Sequence, residues 1–375
     1  VNILAYVHLR NIHRSTGAGR VAQNIIEALV DQNTDDIRIL GDASDHGRVL
    51  PLMGEPWAAY KYCLFNNDTS VQQRQWLVFH GPKAEKFWPE VELVYCAGES
   101  FVPTRKARTV TLIHDAAYFD EGAHEASIAN LPQRLKWRIL FDQIARSSDL
   151  IHTVSEFSAE RLQRHFPAMK GRLRVVHNAV SANFFSTDRS MDAAILERLG
   201  LTGRRFILLP RGLWFRKNGD LVLEAWPRIR QNEEDLLLVV TSHNDPVYSR
   251  RASILNEGIV ETGFIEDDKL RALYRAAQVV WVPSRYEGFG IPVLEAMACG
   301  TSVVASNSSS LPEVAGNAAV LVETQSVSEH VDAIQALLNS DAQRARYREL
   351  GFMRAAGFTW QRSAQTLRAA FSELE

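Results

Sequence analysis

Two glutamates, Glu287 and Glu295, bracket the segment EGFGIPVLE, with two glycines and a proline between them. The segment follows an apolar strand candidate, VVWVPS. Proline suits the first turn of a helix and Gly300 suits the position just past its end, so a short helix is expected to start near Ile291. Such a start offers backbone N–H groups and the positive end of the helix dipole, a setting for phosphate. Tight strand-to-helix turns need glycine for geometry alone, so the turn by itself decides nothing. The glutamates discriminate better. Glu287 precedes the helix at the strand exit, and Glu295 lies one turn inside it, too deep to be a cap. A carboxylate beside phosphate is repelled unless it is otherwise engaged. Sugar hydroxyls are its natural partner, because it accepts two hydrogen bonds from a vicinal diol. Two carboxylates flanking a phosphate site point to a sugar–phosphate–sugar ligand.

Positive charge for that ligand is available in LLPRGLWFRKNGD, where Arg211 and Lys217 fall in a strand-to-helix connection. An arginine supplies bidentate phosphate contacts and a lysine a mobile point charge. Arg216 is a further candidate, and Lys217, next to Asn218-Gly219, is preferred. Near the amino terminus, HRSTGAGRV places Gly17 and Gly19 before a helix, a second setting for an anion. A third glycine is missing at the spacing of the dinucleotide fingerprint, which disfavours NAD. TLIHD puts His114 and Asp115 at another strand exit, where the histidine could bond a substrate hydroxyl or shuttle a proton. Asp115 is expected to fix its orientation. Ser155 in TVSEFS reads as a helix cap.

These residues need a scaffold of strand exits, and the chain supplies it. Apolar strand candidates alternate with amphipathic helical stretches, the pattern of parallel α/β architecture. In the first half they are NILAYVH, IRIL, WLVFH, LVYC, TVTLIHD, LIHTVS and LRVVHNAV, with Gly54 to Gln75 left unassigned. After the polar stretch SANFFSTDRSMDAA come FILLP, LLLVVTS, IVETG, VVWVPS, SVVAS and AVLVE. Two doubly wound domains are expected, over 1–185 and 195–358, facing each other across a deep cleft. The chain has 375 residues, 46% hydrophobic and 23% charged, with a formal net charge of −2. That balance fits a globular protein and gives no global field for nucleic acid. Arg134 to Arg146 is a modest local basic stretch. Three dispersed cysteines indicate neither a disulfide framework nor a zinc site. No metal is expected, since neither an Asp-x-Asp nor a His-rich cluster is seen. The amino terminus reads as a strand, no apolar run approaches the roughly 18 residues of a membrane span, and a cytoplasmic location is expected.

In the order TGAGRVAQNII, TLIHD, TVSEFSAERL, VVHNAV, PRGLWFRKNGDLVLEAW, GFIEDDKLRALYRAAQVVWVPSRYEGFGIPVLEAMACG and SSSLPEVAGNAAVLV, the chain resembles the retaining glycosyltransferases of family four. The resemblance implies the GT-B fold and a nucleotide-sugar donor. Glu295 would hold the ribose and Glu287 hydroxyls of the transferred hexose. Backbone groups around Phe289, Gly290 and Ile291 would contact sugar and phosphates, Arg211 and Lys217 would neutralise the diphosphate, and the Gly17–Gly19 loop would approach it. His114 would sit beside the donor sugar, and the base would lie against Phe264 and Ile265. The segment 359–375 would return to the first domain. The chain is most similar to bacterial polysaccharide mannosyltransferases, which implies GDP-mannose as donor, a glycan or lipid-linked acceptor, and no cofactor. Peripheral contact with the inner membrane is left open. Alternatives are a UDP-sugar donor, a sugar-nucleotide epimerase, a phosphorylase, or a non-catalytic nucleotide-sugar-binding module. The family often has a second adjacent glycine in the first loop, whereas here Ser15-Thr16 precede Gly17, and it often has a glycine pair where Ser309-Ser310 stand.

Overall fold

The computed structural model describes residues 1–12, 17–120, 122–124, 131–231, 233–255 and 258–374. The chain divides into two compact units. One comprises Val1–Phe119, Ser127–Asn178 and Trp360–Glu375, and the other Asp120–Ala126 and Ala179–Thr359.

The first unit is built on a seven-stranded sheet of order β3-β2-β1-β4-β5-β6-β7, with every pairing parallel. Its strands are β1 (Asn2–Tyr6), β2 (Asp36–Asp42), β3 (Lys61–Phe65), β4 (Leu93–Cys96), β5 (Arg108–Leu112), β6 (Leu150–Thr153) and β7 (Leu173–Val175). The central strands are buried along most of their length, as a parallel sheet covered on both faces requires. Tyr6, Trp76, Trp88, Phe141 and Phe166 fill the core around them.

WLVFH does not form the expected strand. Trp76 to Phe79 close the helix Thr69–Phe79, in which Thr69, Gln72 and Trp76 are buried at helical spacing. Asp68 caps that helix by accepting from the Ser70 amide, and His80 ends it in the left-handed region at φ 53°. An apolar run this short fits either period, and the cap and the buried Trp76 decide for the helix. The neighbouring edge strand is β3, which lies in the segment left unassigned and shows the alternating exposure of a half-covered strand. The terminal helix Trp360–Ser372 packs on the helix Gly17–Asp31 of this unit. It is tied there by Ser363 donating to the His177 carbonyl at 2.7 Å and by Arg368 against Asp35 at 2.9 Å.

The second unit carries a six-stranded parallel sheet of order β10-β9-β8-β11-β12-β13. The strands are β8 (Phe206–Leu209), β9 (Leu237–Thr241), β10 (Ile259–Gly263), β11 (Val279–Val282), β12 (Val303–Ser306) and β13 (Val320–Val322). Here FILL, LLVVT, VVWV and VVAS are buried throughout, which is why near-continuous apolar runs mark them so clearly. The polar stretch that leads into this sheet is held by Arg275, whose side chain is 3% exposed. Its guanidinium donates to the carbonyls of Ser186 and Asp188 and to the Asp192 carboxylate. In both sheets the winding direction reverses once, between β1 and β4 and between β8 and β11. Open parallel sheets bind ligands beyond the carboxyl ends of strands at such reversals.

Candidate active site

The loops that leave β8 and β11 carry the residues singled out in the sequence. At the end of β8 the chain turns through Arg211 at φ 72° and Gly212 at φ 81°. A side chain on Gly212 would meet the His243 carbonyl oxygen, at 2.3 Å from its Cβ, so glycine is required there. This turn holds Arg211 over the sheet end, where its guanidinium donates to Glu295 at 3.1 Å. Glu295 is 1% exposed on the helix Ile291–Ala298. It also accepts from the Tyr274 hydroxyl at 2.7 Å. Burial and the Glu295 charge push the Tyr274 hydroxyl well above its ordinary pKa, so it stays a donor.

Lys217 makes the second ion pair. Its ammonium donates to Glu287 Oε1 at 2.5 Å, with side-chain exposures of 14% and 9% for the two partners. The Ser284 hydroxyl donates to the same oxygen at 2.7 Å. Burial would raise the Glu287 carboxyl, but Lys217 and Arg216 outweigh it and its pKa is lowered, so the carboxylate is ionised at neutral pH. The Arg216 backbone carbonyl accepts from the Arg285 amide at 2.9 Å, and its charge also acts on Glu287. Ser309, in the left-handed region at φ 52°, accepts from the Glu287 amide at 2.9 Å. It thereby braces the turn at a position where the family often has glycine.

Two helices start beside these pairs without a side-chain cap. Gly219–Arg230 begins after Asn218 at φ 60°, and Ile291–Ala298 begins after Gly290 at φ 106°. Ser326 and Ser340, by contrast, cap their helices by accepting from the Glu329 and Gln343 amides. Pro292 occupies the first turn, as the spacing predicted. Phe289 is buried, with its ring 5.8 Å from that of Phe358, and Ile291 is half-buried. Past β10, Phe264 is 47% exposed and Ile265 8%. Among the described residues no group of three or more His, Cys, Asp or Glu is arranged to hold a metal ion.

In the first unit, Gly17 is exposed and open, Gly19 is buried, and both lie in the first turn of the helix Gly17–Asp31. Ser15 and Thr16 lie outside the described residues. His114 follows β5, and its orienting partner is Glu99, not Asp115. Glu99 Oε1 accepts from both the backbone N–H and the Nδ1 of His114, each at 2.8 Å. Asp115 turns instead to its own loop, accepting from the Ala117 amide at 2.9 Å. Sequence adjacency favoured the aspartate, whereas the parallel pairing of β4 with β5 sets the two following loops side by side. Ser155 caps the helix Glu156–His165 through the Ser158 amide, as expected. Tyr274 and Glu99 were both missed. The signal for Glu99 was its place just beyond the exit of the strand preceding β5.

Residues 15–184 match the family described as Glycosyltransferase Family 4, and residues 194–352 match Glycosyl transferases group 1. The chain belongs to these glycosyltransferases and is therefore an enzyme. It is 28% identical over 344 residues to O-antigen chain mannosyltransferase B of Escherichia coli, covering 87% of this chain and 84% of that one. It is 33% identical over 233 residues to the MMP alpha-(1->4)-mannosyltransferase of Mycolicibacterium hassiacum, covering 60% and 54%. Among solved structures, Anabaena Alr3699/HepE in complex with UDP and glucose superposes with a TM-score of 0.72 at 16% identity, over 99% of each chain. That likeness shows the fold, GT-B with two Rossmann-like parallel sheets.

Proposed function

We propose that this glycosyltransferase moves a hexose from a nucleotide diphosphate sugar to a hydroxyl of a glycan or lipid-linked glycan, with retention of anomeric configuration. Mannose from GDP-mannose is the preferred donor, in the assembly of a bacterial polysaccharide. The observation that carries the reading is the pair of buried ion pairs, Arg211–Glu295 and Lys217–Glu287, at the switch point of the second sheet. Two carboxylates and two cations beyond the adjacent strands β8 and β11 match a ligand with a diphosphate between two sugars. The names of the curated relatives support mannose.

Breaking the glycosyl–phosphate bond leaves its electron pair on the departing diphosphate. Arg211, Lys217 and the two uncapped helix starts would stabilise that charge. The anomeric carbon passes through an oxocarbenium-like state while the acceptor oxygen enters from the face the phosphate leaves. The acceptor proton then moves to the departing phosphate oxygen, so no protein nucleophile is needed. Glu287 orients hexose hydroxyls and Glu295 holds the ribose. Phe264 and Ile265 would receive the base, backbone groups from Phe289 to Ile291 the sugar and phosphates, and Gly17 and Gly19 would let backbone approach the phosphates. For His114 the proposed role is a hydrogen bond from Nε2 to a substrate hydroxyl. The residues supply the positive charge themselves, and neither a metal nor a cofactor is invoked.

A lipid-linked acceptor would place the enzyme at the cytoplasmic face of a membrane. Among the described residues no helix is long and apolar enough to cross one. The helix Leu131–Ser147 nevertheless exposes Leu131, Leu135 and Ile139 at 60%, 59% and 50%, beside the exposed Arg134, Lys136 and Arg138. An apolar row edged with basic side chains supports peripheral contact with anionic lipid.

Incubation with a panel of radiolabelled GDP- and UDP-sugars is expected to give transfer or donor hydrolysis with GDP-mannose, and the product's anomeric proton signal to show retention. Glu287→Ala should abolish transfer while leaving nucleotide binding measurable. Near-normal turnover in Glu287→Ala would remove the assignment, and turnover of a UDP-sugar alone would replace the donor.

A further inference from the structure

We propose that Glu99 is the positioning residue of His114: it grips the ring at Nδ1 and the backbone, so that Nε2 is left to donate to a substrate hydroxyl. The proposal rests on the role given to His114 above and deepens it.

The geometry is specific. One carboxylate oxygen, Oε1, takes both the His114 amide and Nδ1 at 2.8 Å, which locks the ring against its own backbone. Both side chains are largely covered, with exposures of 17% for His114 and 19% for Glu99. Glu99 follows β4, which borders the switch point of the first sheet, and His114 follows β5 alongside. The Nε2 atom is buried and, among the described residues, has no hydrogen-bond partner. Leaving a buried polar atom unpaired is unfavourable, so this nitrogen is expected to gain its partner when substrate arrives.

The grip also sets what Nε2 can do. With Nδ1–H given to a carboxylate, a neutral ring would present Nε2 as a bare acceptor. Nε2 can donate only when the ring carries its second proton. The surrounding charges favour that form. Burial alone would lower the His114 pKa, but Glu99 and, less strongly, Asp115 raise it above the ordinary histidine value. Burial together with the His114 charge drops His152, on β6, to about 3, so it stays neutral. Burial likewise lowers His8 beyond β1, which feels Glu99, Asp45 and Lys136. The Glu99 carboxyl is brought down to about 2, its own burial being outweighed by His114. The result is an imidazolium–carboxylate pair, with the imidazolium aimed by its partner.

The sign follows directly. A histidine with a raised pKa keeps its proton above the ordinary 6.5 and loses it as pH rises further. Transfer that depends on Nε2–H should therefore fall along an alkaline limb above pH 6.5. Glu99→Gln keeps an acceptor oxygen for Nδ1 but removes the charge, and should move that limb down by about one unit or more. Turnover per donor encounter should drop about tenfold on the limb and recover toward the wild-type value when the pH is lowered. The His114 ring is followed in parallel by NMR titration of its carbon and nitrogen resonances, a readout independent of activity. A raised titration midpoint in the wild type, lowered in Glu99→Gln, is the expected result. A wild-type midpoint below 6.5, or a midpoint and limb unmoved in Glu99→Gln, would overturn the proposal. Full transfer by His114→Ala would overturn the role of His114 itself, and the NMR titration still scores the grip of Glu99 separately.

Discussion

The Lys217–Glu287 pair allows stability and chemistry to be separated. Its atoms lie 2.5 Å apart with at most 14% of either side chain exposed. Glu287→Gln leaves the Lys217 ammonium buried against an amide. Removing one member of a buried ion pair typically costs about 3–5 kcal/mol, because the other charge is left uncompensated. For a unit of about this size each kcal/mol shifts the melting point by about 2–4 °C, so a fall of about 6–20 °C is expected. Lys217→Met should be destabilising for the mirrored reason, with Ser284 as the only remaining side-chain donor of those described to Glu287 Oε1. Combining the two removes both charges, and the double variant should return to within about 1–2 kcal/mol of the wild type. Transfer activity should be lost in all three. Scanning calorimetry and nucleotide-sugar turnover on the four proteins complete the cycle. A double variant that melts at the sum of the single losses would refute the argument from an unpaired charge. A double variant that still transfers sugar would remove the pair from the mechanism.

Two further outcomes follow from neighbouring contacts. Tyr274→Phe deprives Glu295 of its 2.7 Å donor while Arg211 stays in place. Nucleotide affinity measured by calorimetry should weaken by about tenfold, for a loss of about 1–2 kcal/mol, with turnover at saturating donor largely kept; unchanged affinity would separate Tyr274 from the site. The protein should sediment with vesicles containing anionic lipid and not with purely zwitterionic ones. Leu135→Glu with Ile139→Glu should abolish that association, and binding that survives the change would assign it to another surface.

The legibility of the chain followed burial. In the second unit the four inner strands are covered on both faces, so their apolar runs were visible without any structure, and Pro292 with Gly290 marked the helix start correctly. The first unit was harder at its edge. Lys61–Phe65 is a half-exposed strand with polar and aromatic neighbours, and Trp76 to Phe79 is too short a run for its period to be read. Residue types at the site were legible because unusual charges at strand exits stand out. Their partners were less so. Arg211 and Glu295 lie 84 residues apart in the chain, and nothing in local sequence says that they neutralise each other. Glu99 was hidden for the same reason, because parallel pairing makes neighbours of loops that the chain holds apart. Tyr274 looked like one more apolar position on its helix, and only the hydroxyl's direction reveals its bond to Glu295.

Among the described residues, the two helices that begin beside the ion pairs are the ones that start from left-handed residues with no side-chain cap. Elsewhere in the same unit Ser326 and Ser340 cap their helices, while Asp192–Arg198, Asp267–Ala276 and Leu311–Ala315 also begin without a side-chain cap. What sets the pair apart is the left-handed residue before each helix and the place of both beside the two ion pairs. A phosphate seated at those amides would act as the missing cap, and its binding would be folding energy as well as affinity. Donor binding should then raise the melting point of the unit that carries the site.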